Sequence, residues 1–484
     1  MKKKQIIGLL VAIAVAIGIS LIPAPEGLEQ SAMVFLGVFI GFLITMVVGV
    51  AGEHVLVLAT LGILMLLGAH GQATVGPDGA ALSSGAIFAK AFAAFSNTTT
   101  WLVIAGFGIS AALAKSGLLK RIALFVLQFF PANYTGQILA MLVTGTIVTP
   151  MLPSVNAKAV LMAPLAHEVS KSAGFEKSSA GAGGLFSAAY MPACVFGNAF
   201  LTGSLFVALM IGFVPAEEVS HWDFMNILSC TFVWFIIVAV LTFFAIMLLY
   251  KPKETIQFEK GYAKAQLKEM GKITRDEIVC GICLILAIVL WVDPFGLKID
   301  PTVVGLCAFT AICLFGGQAF TVADFGTRIP WRMVILIGGI QAIAGMLSAH
   351  KISTWISATI GPIVAPLISN AFVMVLLVIV VVYLLRYVVI SQVATATIAF
   401  AIFGGLAAVA GINSFFILGF VIYVSGQIWT TPFNNTAEMA ARAITNDEMV
   451  EHKDTVKMSY AYMVINLIAL CASVPLWMAL GYIA

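Results

Sequence analysis

The chain has 484 residues, 61% hydrophobic and only 10% charged, with a formal net charge of +3. Soluble domains carry about a quarter charged residues, and so small a net charge gives no nucleic-acid signal. The apolar excess falls into runs of roughly 15–25 residues, the length that crosses about 30 Å of hydrocarbon; stretches of about ten residues alternating apolar and polar, as a membrane β-barrel requires, are absent, so the expectation is an all-α polytopic membrane protein.

Lys2, Lys3 and Lys4 precede an apolar run from Gln5 to Ile22. That layout is signal-like, but the run exceeds an h-region of about 7–15 residues and reads as a first, uncleaved span. Further spans are predicted at about 31–50, 54–69 and 99–116, the last ending at Lys115, Lys120 and Arg121. Beyond it come about 178–214, 225–250, 278–292, 302–316, 332–349, 400–442 and 457–480. Lys and Arg beside span ends favour the cytoplasmic side. This places the N-terminus inside, together with the 251–277 linker, which carries six lysines and Arg275. Glu217 and Glu218 then fall outside, as does the C-terminus, giving about eleven crossings in the plasma (inner) membrane.

Two apolar stretches, 122–170 and 352–399, are too long for one helix and are interrupted, the first at Thr149-Pro150 and Pro153-Ser154, the second at Ser391-Gln392. Two half-length helices meeting at a polar tip, a re-entrant hairpin, would read this way; such backbone is tolerated at membrane depth only where protein or a water-filled cavity covers it. "SVNAKA" (154–159) and "SQVATA" (391–396) share a frame, Trp101 and Trp331 open similar segments, and breaks at "GNAFLTGS" (197–204) and "WTTPFNN" (429–435) follow each tip. The paired features lie about 230 residues apart. Each unit holds five crossings and a hairpin, so the second copy enters the membrane inverted, a transporter pattern.

Helix starts expose amides and partial positive charge, so two tips facing each other make an anion site. Ser154, Asn156, Ser391, Gln392 and Thr395 would add donors, and Asn198, Thr202, Ser204, Thr431 and Asn434 would contribute from the breaks. Lys158 falls in a first helical turn, where a cation opposes the dipole by about 0.3–1 kcal/mol, and costs roughly 2.5–3.5 kcal/mol more at the bilayer centre. A bound anion would offset both. Arg386, five residues before the second tip, is a second deep cation, placed either to balance charge or to hold hairpin carbonyls. No carboxylate is expected near either tip. The seven cysteines, the Cys280-x-x-Cys283 pair included, read as apolar packing, and His167 and Glu168 as solvated residues. No HExxH or GxSxG motif points to a membrane enzyme.

These residues carry a resemblance. Paired tips reading Ser-Asn-Thr, each followed by a Thr-Pro-Pro-Asn element, mark the divalent anion:sodium symporter family. Here "SVNAKAVLMAPLA" (154–166) and "SQVATAT" (391–397) resemble the two tips. "TPFN" (431–434, with Pro432) resembles the later element, "GSLFV" (203–207) its degraded counterpart, and "KSGLLKRIA" (115–123) the segment entering the first hairpin. The resemblance implies a homodimeric elevator for di- or tricarboxylates such as succinate, malate, fumarate, 2-oxoglutarate or citrate. Its scaffold would be 1–121 with 278–351 and its transport domain 122–250 with 352–484, joined by the 251–277 linker. Both tips depart from the family pattern: Val155 and Asn156 stand for Asn and Thr, and so do Gln392 and Val393. Valine cannot coordinate a hard cation, so bound sodium is disfavoured and no other cofactor is expected. Fixed cations would replace sodium, as in the family's cation-independent exchanger branch. A sodium-coupled symporter is the nearest alternative; an arsenite or sodium/proton carrier of related fold is more distant.

Overall fold

The computed structural model describes residues 3–70, 83–214, 218–252, 261–352, 354–356, 358–359, 362 and 370–484. Glu217, residues 253–260 of the linker and, within the second interrupted stretch, residues 353, 357, 360–361 and 363–369 lie outside them.

Among the described residues the chain is helical. The helices are α1 (Lys3–Leu21), α2 (Gln30–Val48), α3 (Glu53–Ala69), α4 (Ser84–Phe92), α5 (Thr98–Ser116), α6 (Leu118–Leu127) and α7 (Tyr134–Val148). Next come α8 (Val155–Ser172), α9 (Ala180–Cys194), α10 (Leu205–Ile211), α11 (Phe224–Leu249), α12 (Tyr262–Glu269), α13 (Arg275–Val292) and α14 (Pro301–Phe315). The last are α15 (Val322–Thr327), α16 (Trp331–Ala349), α17 (Ala371–Val388), α18 (Gln392–Phe403), α19 (Phe415–Gly426), α20 (Thr436–Ala443) and α21 (His452–Ala479).

The helices present apolar side chains outward, as a lipid solvent demands. On α11, Phe232, Ile236, Val240, Phe244 and Leu248 are exposed at four-residue intervals, while Cys230, Thr231, Trp234, Val238, Thr242 and Ile246 are buried on the other side. The stripe follows from the helical repeat. Six described helices are long and apolar enough to span a bilayer: α1, α2, α11, α17, α21 and the run Ala180–Ala199; the bent pair Ser84–Ser96 and Thr100–Ser116 makes a seventh. The eleven expected crossings outnumber these because α3, α14 and α19 are short and the stretches at 178–214 and 400–442 are broken. The predicted span at 400–442 also begins too early: α18 runs on to Phe403 and the next helix starts only at Phe415.

Two groups of helices pack together. α3 packs on α16, α5 on α13 and α14, and α1 on α2. Elsewhere α8 packs on α9 and α20, α7 on α9, α11 on α21, and α17 and α18 on α19. The groups meet where α10 touches α5 and α16, where α11 touches α13, where α6 packs on α7 and where α18 touches α2, and Ser110 Oγ of α5 donates to Met151 O at 3.1 Å. Tyr482 and His221 hydrogen-bond at 2.9 Å, and Ala484 N donates to Gly411 O at 2.7 Å, so 221, 411 and the final residues share one end. His167 is buried and faces Glu448 at 3.5 Å, contrary to the expectation of a solvated residue, whereas Glu168 is exposed.

Candidate functional site

The first interruption follows from its residues. After Val148, Thr149–Met151 form a 3-10 turn, and Pro150 and Pro153 carry no amide to continue the ladder. Ser154 then caps α8, its Oγ accepting from Ala157 N at 3.2 Å. The freed carbonyls are taken up across the fold: Thr202 Oγ1 donates to Pro150 O at 2.7 Å, and Leu205 N to Pro153 O at 3.0 Å. Thr149 Oγ1 donates to Pro192 O at 2.8 Å, meeting a carbonyl of α9.

Lys158 lies one turn into α8 with 1% exposure. Its Nζ donates to Gly203 O at 2.6 Å, and no carboxylate pairs with it among the described residues. Gly197 makes room for this contact. A Cβ there would stand 2.5 Å from Nζ and 2.3 Å from Gly203 O, and one on Gly203 would stand 2.6 Å from Gly197 O. The two glycines of the 197–204 break let backbone reach the ammonium.

The second interruption is built alike. Ser391 caps α18, accepting from Ala394 N at 3.1 Å. Arg386, 1% exposed in the last turn of α17, donates from NH1 to Val389 O at 3.0 Å and Ile390 O at 2.6 Å, and from NH2 to Asn434 O. It thus staples the tip's carbonyls to the 429–435 break, the carbonyl-holding role considered for it. It too has no carboxylate partner among the described residues. Cys194 lies within electrostatic reach of both cations, and Tyr190 OH reaches Cys194 Sγ at 3.1 Å and Asn435 Oδ1 at 3.0 Å.

The two breaks meet directly. Asn198 Nδ2 donates to Gln427 Oε1 and, at 2.9 Å, to Val195 O. Both side chains are fully buried. Four buried polar atoms around this junction find no partner in the protein: Asn198 Oδ1, Gln427 Nε2, Thr431 Oγ1 and Arg386 Nε. Buried polar groups are normally satisfied, so a polar ligand or solvent belongs here.

Other predicted residues are spent on bracing. Thr395 Oγ1 turns back to Ser391 O at 2.9 Å, Asn434 Nδ2 bonds Thr430 Oγ1 at 3.3 Å, and Ser204 caps α10. Gln392 Nε2 donates to Tyr423 O at 3.3 Å. Val155 and Val393 are buried, whereas Asn156 and Pro432 are exposed. The expectation that no carboxylate lies near a tip is wrong: the Glu53 carboxylate accepts from Ser391 Oγ. Glu53 is 338 residues from Ser391, and nothing local in "VAGEHVLV" connects them. Gln427, Tyr190 and Asn435 are likewise not among the expected contributors, and Cys194, expected to be apolar packing, takes part in this polar junction. Gln427 alone had a signal, standing 229 residues after Asn198, the offset of the repeat.

A bundle of apolar helices with broken segments and unpaired buried cations at their junction defines a membrane transporter rather than an enzyme. The comparison with known families agrees. The chain belongs to the family described as sodium:sulfate symporter transmembrane region, which matches residues 3–483 and bears out the resemblance read from the tips. It is 26% identical over 371 residues to the inner membrane protein YbhI of Escherichia coli K12, covering 74% of this chain and 73% of that protein. It is 26% identical over 370 residues to the citrate/succinate antiporter of the same organism, covering 74% of each. Chloroplastic dicarboxylate transporter 1 of Spinacia oleracea is 23% identical over 369 residues, 74% of this chain and 61% of that one. Among solved structures, the YdaH transporter of Alcanivorax borkumensis superposes with a TM-score of 0.58 at 14% identity, over 89% of this chain and 99% of that one, a likeness of fold.

Proposed function

We propose that this protein exchanges di- or tricarboxylates across the plasma (inner) membrane, independently of sodium. The observation that carries the reading is the pair of buried cations, Lys158 and Arg386, held by carbonyls and without a carboxylate partner among the described residues. Uncompensated charge in the membrane interior costs kilocalories. A bound dianion neutralises the site and lets it cross; an empty site retains its charge and stalls, so transport requires substrate in both directions. Valines at both tips support sodium independence. The names of the E. coli antiporter and the chloroplast transporter support the substrate class.

In this reading 122–170 and 352–399 are re-entrant hairpins, the halves are inverted repeats, and 122–250 with 352–484 move as an elevator against 1–121 with 278–351 in a homodimer. The N-terminus is cytoplasmic and the C-terminus external. The packing of α3 on α16 and of α5 on α13 and α14 supports the division. Ser154, Lys158, Asn198, Gln427, Thr431 and Ser391 face the substrate, with Arg386 balancing charge.

Flux in proteoliposomes tests it. Labelled succinate is expected to enter vesicles preloaded with dicarboxylate at the same rate with or without a sodium gradient, and not to accumulate in empty ones. Uptake into empty vesicles driven by sodium would replace the exchanger with a symporter.

A further inference from the structure

Glu53 opens α3, in the group packed on α16 and α2. Its carboxylate accepts from Ser391 Oγ, the same atom that receives Ala394 N at the start of α18. The carboxylate therefore sits against two helix starts, its own and that of α18, and a carboxylate is favourable at both. The buried Tyr423 hydroxyl, which has no partner in the protein, lies in the field of Glu53. A carboxylate at the start of α18 on a serine hydroxyl is the arrangement proposed above for one end of a substrate. Here the protein supplies it from outside the transport segment.

We infer that Glu53 is a tethered competitor for the second tip, a latch that holds the empty transport domain in this position and that a substrate carboxylate must displace. The inference rests on the exchange reading. It adds a second cause for the stalling of the empty carrier: besides bearing uncompensated charge, its tip is fastened to α3. A substrate that supplies its own carboxylate to Ser391 both neutralises the site and opens the latch. Apparent affinity is multiplied by the fraction of carriers that are competent, so removing the competitor raises it.

The test uses full-length protein in proteoliposomes, with Glu53→Gln and Glu53→Ala beside the parent. Both variants are expected to show a KM for succinate about tenfold lower, the factor one competing hydrogen bond to a charged group is worth, and to leak measurable succinate into empty vesicles. In parallel, Gly52→Cys with Ile390→Cys, exposed positions that flank the latch and leave Glu53 and Ser391 in place, is treated with a short bifunctional thiol reagent in a background lacking Cys283, Cys307, Cys313 and Cys471, the cysteines that are not buried. Cross-linking is expected, and saturating succinate is expected to suppress it. KM values within twofold of the parent, or cross-linking that succinate leaves unchanged while the parent exchanges succinate, overturn the latch and leave the exchange reading standing. Absence of dicarboxylate flux in the parent itself overturns the exchange reading, and the latch with it.

Discussion

Lys158 is the residue whose position is hardest to justify by stability. It opposes the dipole of its own helix, is withdrawn from water, and recovers a single carbonyl contact. Replacing it should therefore separate stability from transport. Lys158→Met keeps the apolar stem and removes the ammonium. The expected outcome is an unchanged or higher thermal midpoint in detergent, because a buried unpaired charge is lost, with exchange reduced at least about tenfold. Were both to fall together, the lysine would be structural. Gly197→Ala tests the same contact from the other side. Its Cβ would press on a backbone oxygen that cannot swing away, so a loss of about 1–3 kcal/mol is expected, read as a lower unfolding midpoint together with lower flux.

The broken helices owe their shape partly to local chemistry and partly to contacts made far along the chain. The tips were legible because prolines and serine caps act within a few residues: both interruptions fall where the sequence put them, and Ser154 and Ser391 cap as serine should. What fills the breaks was not legible, because each partner comes from a distant segment. Asn198 was foreseen as a polar contributor, yet its mate Gln427 was not; Thr202 was foreseen as another, yet its hydroxyl closes on Pro150. The Asn198–Gln427 bridge can be weighed directly. Alanine at each position and at both, followed by thermal unfolding, is expected to show a coupling of about 1 kcal/mol. Strict additivity would mean that the two breaks are held apart by other contacts and merely touch here.

At the scale of the whole molecule, composition disclosed the membrane, whereas the number of crossings depended on helices too short or too broken to be read as single spans. The charged residues are more informative at one end of the bundle. Lys115 Nζ meets Asp324 Oδ2 at 2.5 Å, Arg328 Nε meets Asp324 Oδ1 at 2.6 Å, and Arg121 Nε meets Glu277 Oε1 at 2.7 Å. These pairs tie the end of α5 and the start of α6 to α13 and to α15, the link between α14 and α16. Hydrogen bonds from Lys115 and from the Thr321 side chain and amide hold the Asp324 carboxyl well below its ordinary value of 3.8. A carboxyl depressed on folding stabilises the fold above its unfolded value and loses that contribution as pH falls through the folded one. The midpoint difference between the parent and Asp324→Asn is therefore expected to be constant from about pH 7 down to pH 4 and to shrink below it, measured by thermal unfolding in detergent at matched salt. A difference independent of pH down to strong acid would show that the aspartate acts by shape and hydrogen bonding alone, and that its charge does not help to hold these helices at this end.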